Sequence, residues 1–390
     1  MFLNLTLNIM AADSFSEVTS TSWFSRIGGS IKGIIFGIVL IVASIVLLSW
    51  NEGRAVERYK TLKEGGGSVV SVESAAVDSS KQGQLIHTTG FATSEDQPSD
   101  SEFGISTDEL KLIRTVEMYQ WKENTKKETQ KKLGGGTETV TTYTYVKEWS
   151  KQHVDSSNFK KPDGHANPSE LRYKSTTFTA KPVTLGAYTL ANSQVSKIGG
   201  AEPFTLTSDY KAPEEIGKSI LSGSTIYIGN DPNTPTVGDI RVSFQEVPEQ
   251  EVSLVAVQIN DSFEPYQAKA GGSINLLESG TVSAAAMFQA AQDSNKTLTW
   301  ILRGVGVLIM FFGFNLIMAP LSVIADVVPF IGNIVGAGTM LVAMLLTAVA
   351  GLITIAIAWI VFRPLLAVAL LIGAGLAIYL IYSKSRTQSV

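Results

Sequence analysis

The sequence predicts a multi-pass membrane protein with four transmembrane α-helices, one N-terminal and three C-terminal. A large β-rich α+β extramembrane domain is inserted between the first and second helices. Three observations predict this fold class. Ile34–Trp50 is an uncharged apolar run, and residues 304–382 carry only two charged side chains, Asp326 and Arg363. Residues 51–299, in contrast, hold 25 Lys+Arg and 32 Asp+Glu. Because about 20 apolar residues cross a hydrocarbon core of about 30 Å, a soluble multidomain protein is excluded.

The N-terminal part of the chain is predicted to be a tail over residues 1–30 and a transmembrane helix over residues 31–50. Lys32 lies where its long side chain can reach the headgroups. The apolar run is followed by NEGRAVER rather than by the small residues of a signal-peptide cleavage site. This favours an uncleaved membrane anchor.

The C-terminal part divides at residues that disfavour a continuous helix in hydrocarbon. Pro320 ends one apolar stretch, and Asp326 with Pro329 predicts a turn. Arg363-Pro364 ends the next stretch. The predicted segments are three transmembrane helices and a tail, over residues 301–321, 331–362, 365–382 and 383–390.

Four spans place both termini on one side of the membrane and residues 51–299 on the other. The short segments on the side of the termini hold four basic residues: Arg26, Lys32, Lys384 and Arg386. The opposite short loop holds only Arg363. The positive-inside rule therefore predicts cytoplasmic termini and a luminal or periplasmic domain.

Small residues recur at four-residue spacing in the apolar segments. The candidate helix-packing residues are Gly29, Gly33, Gly37, Gly332, Gly336 and Gly373. Such series let two helix backbones approach closely in lipid, which predicts a homo-oligomer formed through the helices. The alternative interpretation is that glycine is simply common in membrane helices.

The clearest unit of the inserted domain is a hairpin of Ile113–Glu123 and Thr139–Trp149, which are rich in β-branched and aromatic residues. The charged segment between them is predicted to be its loop. Aromatic side chains on this hairpin form a candidate interaction surface, comprising Tyr119, Trp121, Tyr143 and Tyr145. Either this sheet is covered on both faces, or it has an aromatic binding face. Elsewhere, Gly65–Ser68 is interpreted as a flexible joint and Ala212–Leu221 as a short helix.

The sequence offers no catalytic constellation. It contains no cysteine and only three histidines, His87, His153 and His165, with no metal-binding spacing and no G-x-S-x-G motif. We therefore predict no catalytic, cofactor-binding or metal site, no cofactor and no enzymatic activity. The acidic domain also argues against a nucleic-acid partner.

Few polar groups lie in or near the apolar segments. Asn315 is the candidate intramembrane polar residue, and its amide can hydrogen-bond a neighbouring helix or its own backbone. Asp326 and Arg363 lie at breaks between helices. There we expect headgroups or water to solvate them, on opposite sides of the membrane.

Several segments resemble the LUMA family, also called the transmembrane protein 43 family. They are Ser22–Val56 with its NEGRA motif, VEMYQWKE (Val116–Glu123), VGDIRVSF (Val237–Phe244) and Thr299–Thr339 with its ADVVPF motif. The resemblance extends in order from about Ser22 to Tyr382. It implies a four-span protein with a luminal domain. In animals the family lies in the endoplasmic reticulum and inner nuclear membrane, where it organises complexes with lamins and emerin; a bacterial member would occupy the inner membrane. No catalytic residues accompany it.

The leading hypothesis is a non-enzymatic membrane scaffold. Its helices would self-associate, and its β-rich domain would organise other membrane proteins within the lipid bilayer. Two alternatives remain open, a channel or transport component and a ligand-sensing membrane protein.

Overall fold

The computed structural model describes residues 13–364 and residue 372. The predicted fourth span (365–382), the C-terminal tail (383–390) and Gly373 therefore lie outside the described residues. Within them, three long helices and a β-rich domain form the architecture.

Residues 13–364 contain four α-helices, namely α1 (Trp23–Ser68), α2 (Asn192–Val195), α3 (Ala284–Ala325) and α4 (Pro329–Phe362). α1, α3 and α4 are each long and apolar enough to cross a membrane. They contain the predicted spans 31–50, 301–321 and 331–362. Three of the four predicted membrane helices are thus supported, one N-terminal and two C-terminal.

Local sequence sets the ends of these helices. The Ser22 hydroxyl accepts a hydrogen bond from the backbone N–H of Ser25, and Ser283 does the same for Ala286, so both α1 and α3 begin at a serine cap. α4 begins at Pro329, whose missing N–H costs nothing in a first helical turn. The predicted turn around Asp326 is present, and Pro320 lies inside α3.

The β-rich domain contains two main sheets, and all of its strands except the first, which precedes α1, lie between α1 and α3 in the chain. The first sheet has eight strands, β1 (Asp13–Thr21), β6 (Lys111–Lys131), β7 (Thr137–Ser150), β8 (Thr176–Thr179), β11 (Glu202–Pro203), β12 (Ser219–Ser222), β13 (Thr225–Ile228) and β14 (Ile240–Val247). The second has seven, β2 (Val70–Ser71), β3 (Leu85–Thr93), β9 (Thr184–Leu185), β10 (Tyr188–Thr189), β15 (Gln250–Ile259), β16 (Ser262–Glu264) and β19 (Leu276–Ser279). Two separate two-stranded sheets complete the domain, β4 (Ser99–Asp100) with β5 (Ile105–Ser106) and β17 (Tyr266–Gln267) with β18 (Ser273–Ile274).

Each main sheet has its own apolar core. Leu112, Val116 and Met118 alternate along one face of β6, as the two-residue period of a strand requires, and pack with Val242 of β14. A second core lies against β3 and β15. A third joins the domain to the helices and comprises Leu62, Leu85, Val255, Ile274, Met287 and Phe288. The domain is therefore packed directly onto the ends of α1 and α3.

Two of the local predictions are wrong. Gly65–Ser68 is not a flexible joint but the last turn of α1. Gly65 is buried there, and a Cβ on it would collide with Ile274 and Phe288, so glycine is required for the close contact with the domain. Ala212–Leu221 is not a helix. It contains one 3-10 turn at Glu214–Ile216, followed by a strand that pairs with β13.

The hairpin is much longer than its apolar sequence predicts. β6 and β7 stay paired from Met118↔Ser150 to Lys131↔Thr137, through the segment interpreted as a loop. β1 pairs with the other edge of β7 from Asp13 to Thr21. We call β1, residues 121–131 of β6 and residues 137–147 of β7 the arm. Its β6 part extends about 33 Å at about 3.3 Å per residue.

The arm reaches the end of the helix bundle that is remote from the domain cores. At its tip, the Gly134 N–H donates to the carbonyl of Val327, in the turn between α3 and α4, at 3.0 Å. The Arg26 guanidinium, near the start of α1, donates to the Gly135 carbonyl at 2.5 Å. From Arg26 to Asn51, α1 rises about 38 Å at about 1.5 Å per residue. Arm and bundle therefore have closely similar lengths.

The arm changes the prediction about the N-terminal region. Residues 1–30 are not simply a tail, since β1 and the first turns of α1 fall within them. The described part of this region also contacts the domain, which was not predicted from the sequence. Asp13 accepts a hydrogen bond from His165 of the domain at 2.8 Å. β1 runs from the domain to the far end of the bundle, and α1 returns from there.

Candidate functional site

A buried polar network joins the three long helices at the end nearest the domain. We call it the Glu52 network. Glu52 of α1 is 0% exposed and accepts hydrogen bonds from two helices. Arg303 Nε of α3 donates to Glu52 Oε1 at 2.6 Å, and Trp359 Nε1 of α4 donates to Oε2 at 2.8 Å. The Arg303 guanidinium also lies 4.7 Å from the Trp300 ring centroid. Charge and hydrogen bonding are thus satisfied within the helices, as a buried carboxylate requires.

The same network continues along α1 and α3. Asn51 Nδ2 donates to the Thr299 carbonyl at 3.0 Å. Arg54 donates to Asn295 Oδ1 and to Thr299 Oγ1, each at 3.0 Å. Asn295 in turn donates to the Ala55 carbonyl. The NEGRA motif is therefore a helix-joining element, which was not predicted from the sequence. The sequence pattern that could have predicted this element is the three-residue spacing of Asn51 and Arg54 directly after an apolar run. This spacing places both residues on one helix face.

A second charged cluster lies at the opposite end of the bundle. Asp326, which was expected to be solvated, is 1% exposed. Its Oδ2 pairs with Arg26 at 2.5 Å and its Oδ1 with Lys131 of the arm at 2.6 Å. Lys131 also donates to Asn333 at 2.9 Å. We call these residues the Asp326 cluster; it holds the arm tip, α1 and the α3–α4 turn together. The partners are protein side chains rather than headgroups or water.

The candidate helix-packing glycines are mostly used within the chain. A Cβ atom placed on Gly37 would lie 2.6 Å from the Gly313 carbonyl oxygen. A Cβ atom placed on Gly332 would collide with Asp326. One on Gly336 would lie 3.1 Å from Ser322 Oγ, and one on Gly33 would lie 3.8 Å from Leu316. Only Gly29 has open space around it among the described members of the series. The glycines therefore explain why α1 and α3, and α3 and α4, approach closely.

The aromatic side chains of the hairpin are largely covered by the domain itself. Tyr145 is 3% exposed and stacks on His165 with ring centroids 3.9 Å apart, while the Trp121 ring meets His165 edge-on at 4.7 Å. Tyr119 packs against Trp149. The sequence left two interpretations, a sheet covered on both faces and an aromatic binding face. The first describes these residues.

Tyr143, the remaining aromatic residue of the predicted interaction surface, lies further along the arm than Tyr145. Tyr143 stacks on Phe15 of β1 with ring centroids 6.2 Å apart, and Phe15 is 39% exposed. Tyr143 thus contributes to pairing β1 with β7. Part of this aromatic pair remains open to solvent.

Hydrogen bonds tie Tyr145 and His165 to the base of the arm. Tyr145 Oη donates to Glu123 Oε2 at 2.8 Å. Burial, and secondarily this hydrogen bond, raises the pKa of Tyr145 to about 12. His165 is 1% exposed, and its two ring nitrogens face the Lys161 carbonyl and the Asp13 carboxylate, both at 2.8 Å. Both partners are hydrogen-bond acceptors, so the ring is held between two oxygen atoms.

The other histidines also have structural contacts. His87 Nε2 lies 2.9 Å from the Val282 carbonyl, just before α3, and Nδ1 lies 3.2 Å from Ser71 Oγ. His153 Nε2 lies 2.6 Å from the Pro168 carbonyl. Within residues 13–364, no group of three or more His, Cys, Asp or Glu is arranged to hold a metal ion.

Asn315 lies half-buried in α3. Its side chain has no hydrogen-bond partner among residues 13–364. The structure thus does not join it to the Glu52 network or to the Asp326 cluster. Arg363, at the end of α4, lies 5.9 Å from the Trp359 ring centroid, at the domain end of the bundle.

Comparison with known proteins identifies the family. The family model described as transmembrane protein 43 matches residues 118–364. Transmembrane protein 43 of Rattus norvegicus is 32% identical over 378 residues, which cover 94% of this chain and 93% of the relative. The Homo sapiens protein is 32% identical and the Drosophila melanogaster homolog 30% identical, with 91% and 90% of this chain and 90% and 94% of the relatives covered.

No solved structure matches the chain. The family match nevertheless includes both the β-rich domain and the C-terminal helices, and the relatives extend the similarity across the N-terminal helix. Together with three helices capable of crossing a membrane, these matches agree with the resemblance seen in the NEGRA and ADVVPF segments. The chain is a membrane protein that belongs to the transmembrane protein 43 family.

Proposed function

We propose that this protein is a non-enzymatic membrane scaffold whose copies associate side by side through the arm. In this proposal the β-rich domain organises other membrane proteins around the assembly. The observation that supports this proposal is that the arm has two open strand edges. The outer edge of β1 has no partner among the described strands. On the outer edge of β6, β14 ends at Met118, the Tyr119 backbone still bonds Gly238 and Asp239, and the Trp121 backbone bonds the Asn167 side chain. Beyond Trp121 this edge has no strand partner among the described residues.

The two open edges are both polar and charged. On β1, Asp13 lies against His165 and Glu17 pairs with Lys160. On the outer part of β6, Lys126 pairs with Glu128 and Lys131 with Asp326, which leaves Lys127 without an acidic partner among the described residues. β1 and β6 both run antiparallel to β7, so they are parallel to each other. If neighbouring copies share one orientation in the membrane, β1 of one copy can pair in parallel with β6 of the next. Such head-to-tail contacts generate a ring where the rotation between copies closes and an open filament where it does not.

The membrane supplies a physical reason for this pairing. The arm has nearly the length of the bundle, and the helices are long enough to span lipid. Unpaired backbone N–H and C=O groups in hydrocarbon cost several kcal/mol each. For this reason, open sheet edges do not occur in contact with lipid. Joining the arms of several copies would give each edge a partner and place the polar strands inside a surrounding layer of helices.

Two observations favour a scaffold over an enzyme. The buried charged residues at both ends of the bundle bind each other, and the three histidines bind backbone or structural partners. Of the described glycines through which the helices were expected to self-associate, all but Gly29 contact other parts of the same chain. Association is therefore assigned to the arm rather than to those glycines.

Cysteine crosslinking tests the proposal directly, because the natural chain contains no cysteine. Thr19→Cys on β1 would be combined in turn with Lys126→Cys, Lys127→Cys and Glu128→Cys on β6, which allows for the unknown register. After oxidation in native membranes, we expect a ladder of multimers from at least one double variant and monomer from every single variant. Dimers from a single variant would indicate a two-fold contact instead. Their appearance, or monomer throughout, would overturn this mode of association.

A channel or transport component is the second candidate. It is favoured by Asn315, a half-buried amide in an apolar helix without a hydrogen-bond partner among residues 13–364. Flux in reconstituted vesicles would be compared between the natural chain and Asn315→Leu. Flux that this substitution abolishes would support transport, whereas vesicles without flux would exclude it.

A further inference from the structure

A cavity of about 720 Å³ lies where α1, α3 and the end of α4 meet, beside the Glu52 network. Its apolar lining includes Val56 and Tyr59 of α1, Trp300 of α3 and Phe362 of α4. This volume is within the range of about 300–1,000 Å³ that is common for small-molecule sites. The cavity is therefore large enough for the polar headgroup of a lipid and the beginning of its chains.

The charged lining of this cavity is entirely basic. The cationic side chains are Lys60, Lys63, Lys296, Arg303 and Arg363. Arg303 is neutralised by Glu52, and Lys296 is paired with Asp293. The other three have no acidic partner among residues 13–364. The cavity therefore has a surplus of positive charge in contact with apolar walls.

Two further features place this positive charge at the cavity. Arg363 Nε is buried and has no hydrogen-bond partner among the described residues. On α1, Val56, Tyr59, Lys60 and Lys63 share one face by their three- and four-residue spacing. Glu64 follows Lys60 by four residues, but its carboxylate turns towards the domain, where it accepts hydrogen bonds from Tyr266 and Lys269. The nearby carboxylate thus faces the domain and does not cancel the basic lining.

The position of the cavity along the bundle identifies the ligand class. Trp50 ends the apolar run of α1, and Trp300 and Trp359 lie at the matching height of α3 and α4, where aromatic side chains favour the headgroup region. Trp300 is 69% exposed. An apolar wall therefore continues from the cavity towards the exposed faces of the membrane helices.

We propose that this cavity binds the phosphate headgroup of an anionic phospholipid, with an acyl chain lying along Trp300 and Phe362. Basic pockets between membrane helices are suited to such headgroups. The apolar walls distinguish this ligand from a soluble phosphate, which would gain nothing from them. The inference is independent of the proposed scaffold role, since it concerns one copy of the chain and no contact of the arm.

Native mass spectrometry of the detergent-solubilised full chain tests the proposal. Phosphatidylglycerol and phosphatidylcholine with the same acyl chains would be titrated in parallel. We expect tighter binding of phosphatidylglycerol, and a loss of about thirtyfold in its affinity for Lys60→Gln/Lys63→Gln, because each lysine near anionic lipid contributes about 1 kcal/mol. Arg363→Gln should also weaken it. Lys126→Gln/Lys127→Gln, two exposed arm lysines, is the matched control and should bind as the natural chain does.

Both altered lysines of the test variant are exposed, so its thermal unfolding in phosphatidylcholine should equal that of the natural chain. Equal affinity for the two lipids, no retained lipid, or equal losses in the test and control variants would each overturn the proposal. Glycerophosphoglycerol, the headgroup without acyl chains, serves as a competitor. If it binds as tightly as the whole lipid, the site recognises a soluble phosphate and the lipid assignment is wrong.

Discussion

The Nζ atom of Lys131, at the tip of the arm, lies 2.6 Å from Oδ1 of Asp326, in the turn between α3 and α4. Arg26 binds the other oxygen of the same carboxylate. One buried side chain thus connects the first helix, the last two described helices and the domain. The stability of the bundle and the position of the arm are therefore coupled.

We predict that Asp326→Ala destabilises the protein by about 3 kcal/mol, because it leaves two cations without their buried partner. Amide hydrogen exchange at Lys131–Gly136 should become faster as the tip loses its attachment. Chemical unfolding and hydrogen exchange of the detergent-solubilised chain measure both effects. Lys126→Ala, which removes a pair with more than half of each side chain exposed, should change stability by less than about 0.5 kcal/mol. Similar effects of the two substitutions would contradict the proposed coupling.

At the other end of the bundle, Glu52→Leu should cost about 3 kcal/mol because Arg303 loses its buried counter-charge. The double variant Glu52→Leu/Arg303→Leu should be more stable than Glu52→Leu alone, since no unpaired charge remains. Thermal unfolding of the three proteins in one detergent completes a double-mutant cycle. A double variant whose loss equals the sum of the single losses would show that the two residues do not interact.

Gly37 and Gly313 allow α1 and α3 to approach closely, so Gly37→Leu should force the helices apart. We expect a loss of about 1–3 kcal/mol from overpacking. Gly29→Leu has open space on the same helix and is the matched control. Melting temperatures of the two variants decide the question, and equal stability would mean that α1 and α3 do not meet at Gly37.

Tyr145 predicts a dependence of stability on alkaline pH. Its pKa rises from 10.0 in the unfolded chain to about 12 in the folded protein, so the folded state holds the proton more tightly. The resulting stabilisation is present below pH 10 and is lost as pH rises through 12. Tyr145→Phe should therefore show a shallower fall in stability between pH 10 and 12. It should also lose about 1 kcal/mol at neutral pH with the hydrogen bond to Glu123. Parallel curves for the two proteins would rule out this contribution.

The sequence predicted the features that depend on composition and periodicity. The apolar runs located three helices, and the alternation along Ile113–Glu123 located the centre of β6. The sequence did not predict the outer half of the arm. The Lys, Glu and Thr residues of this half resemble a solvated loop when taken alone. These residues form strands since β7 provides partners for each of them. The local preference was overridden by pairing.

The polar sites were the least predictable part. Asp326 and Lys131 are far apart in the sequence, and nothing in either neighbourhood indicates the other. Gly65 likewise resembles a linker until Ile274 and Phe288 are placed against it. These relationships depend on how the domain docks onto the helices, which a single sequence does not specify locally.

The order of synthesis gives the arm a consequence for biogenesis. β1 and α1 leave the ribosome first, yet β1 pairs with β7 and α1 packs on α3, both of which are made much later. The first helix must therefore wait in the membrane without its native partners while the whole domain is synthesised. Closing these long loops is entropically slow. During that interval β1 is an unpaired strand that a chaperone or a second nascent chain can capture.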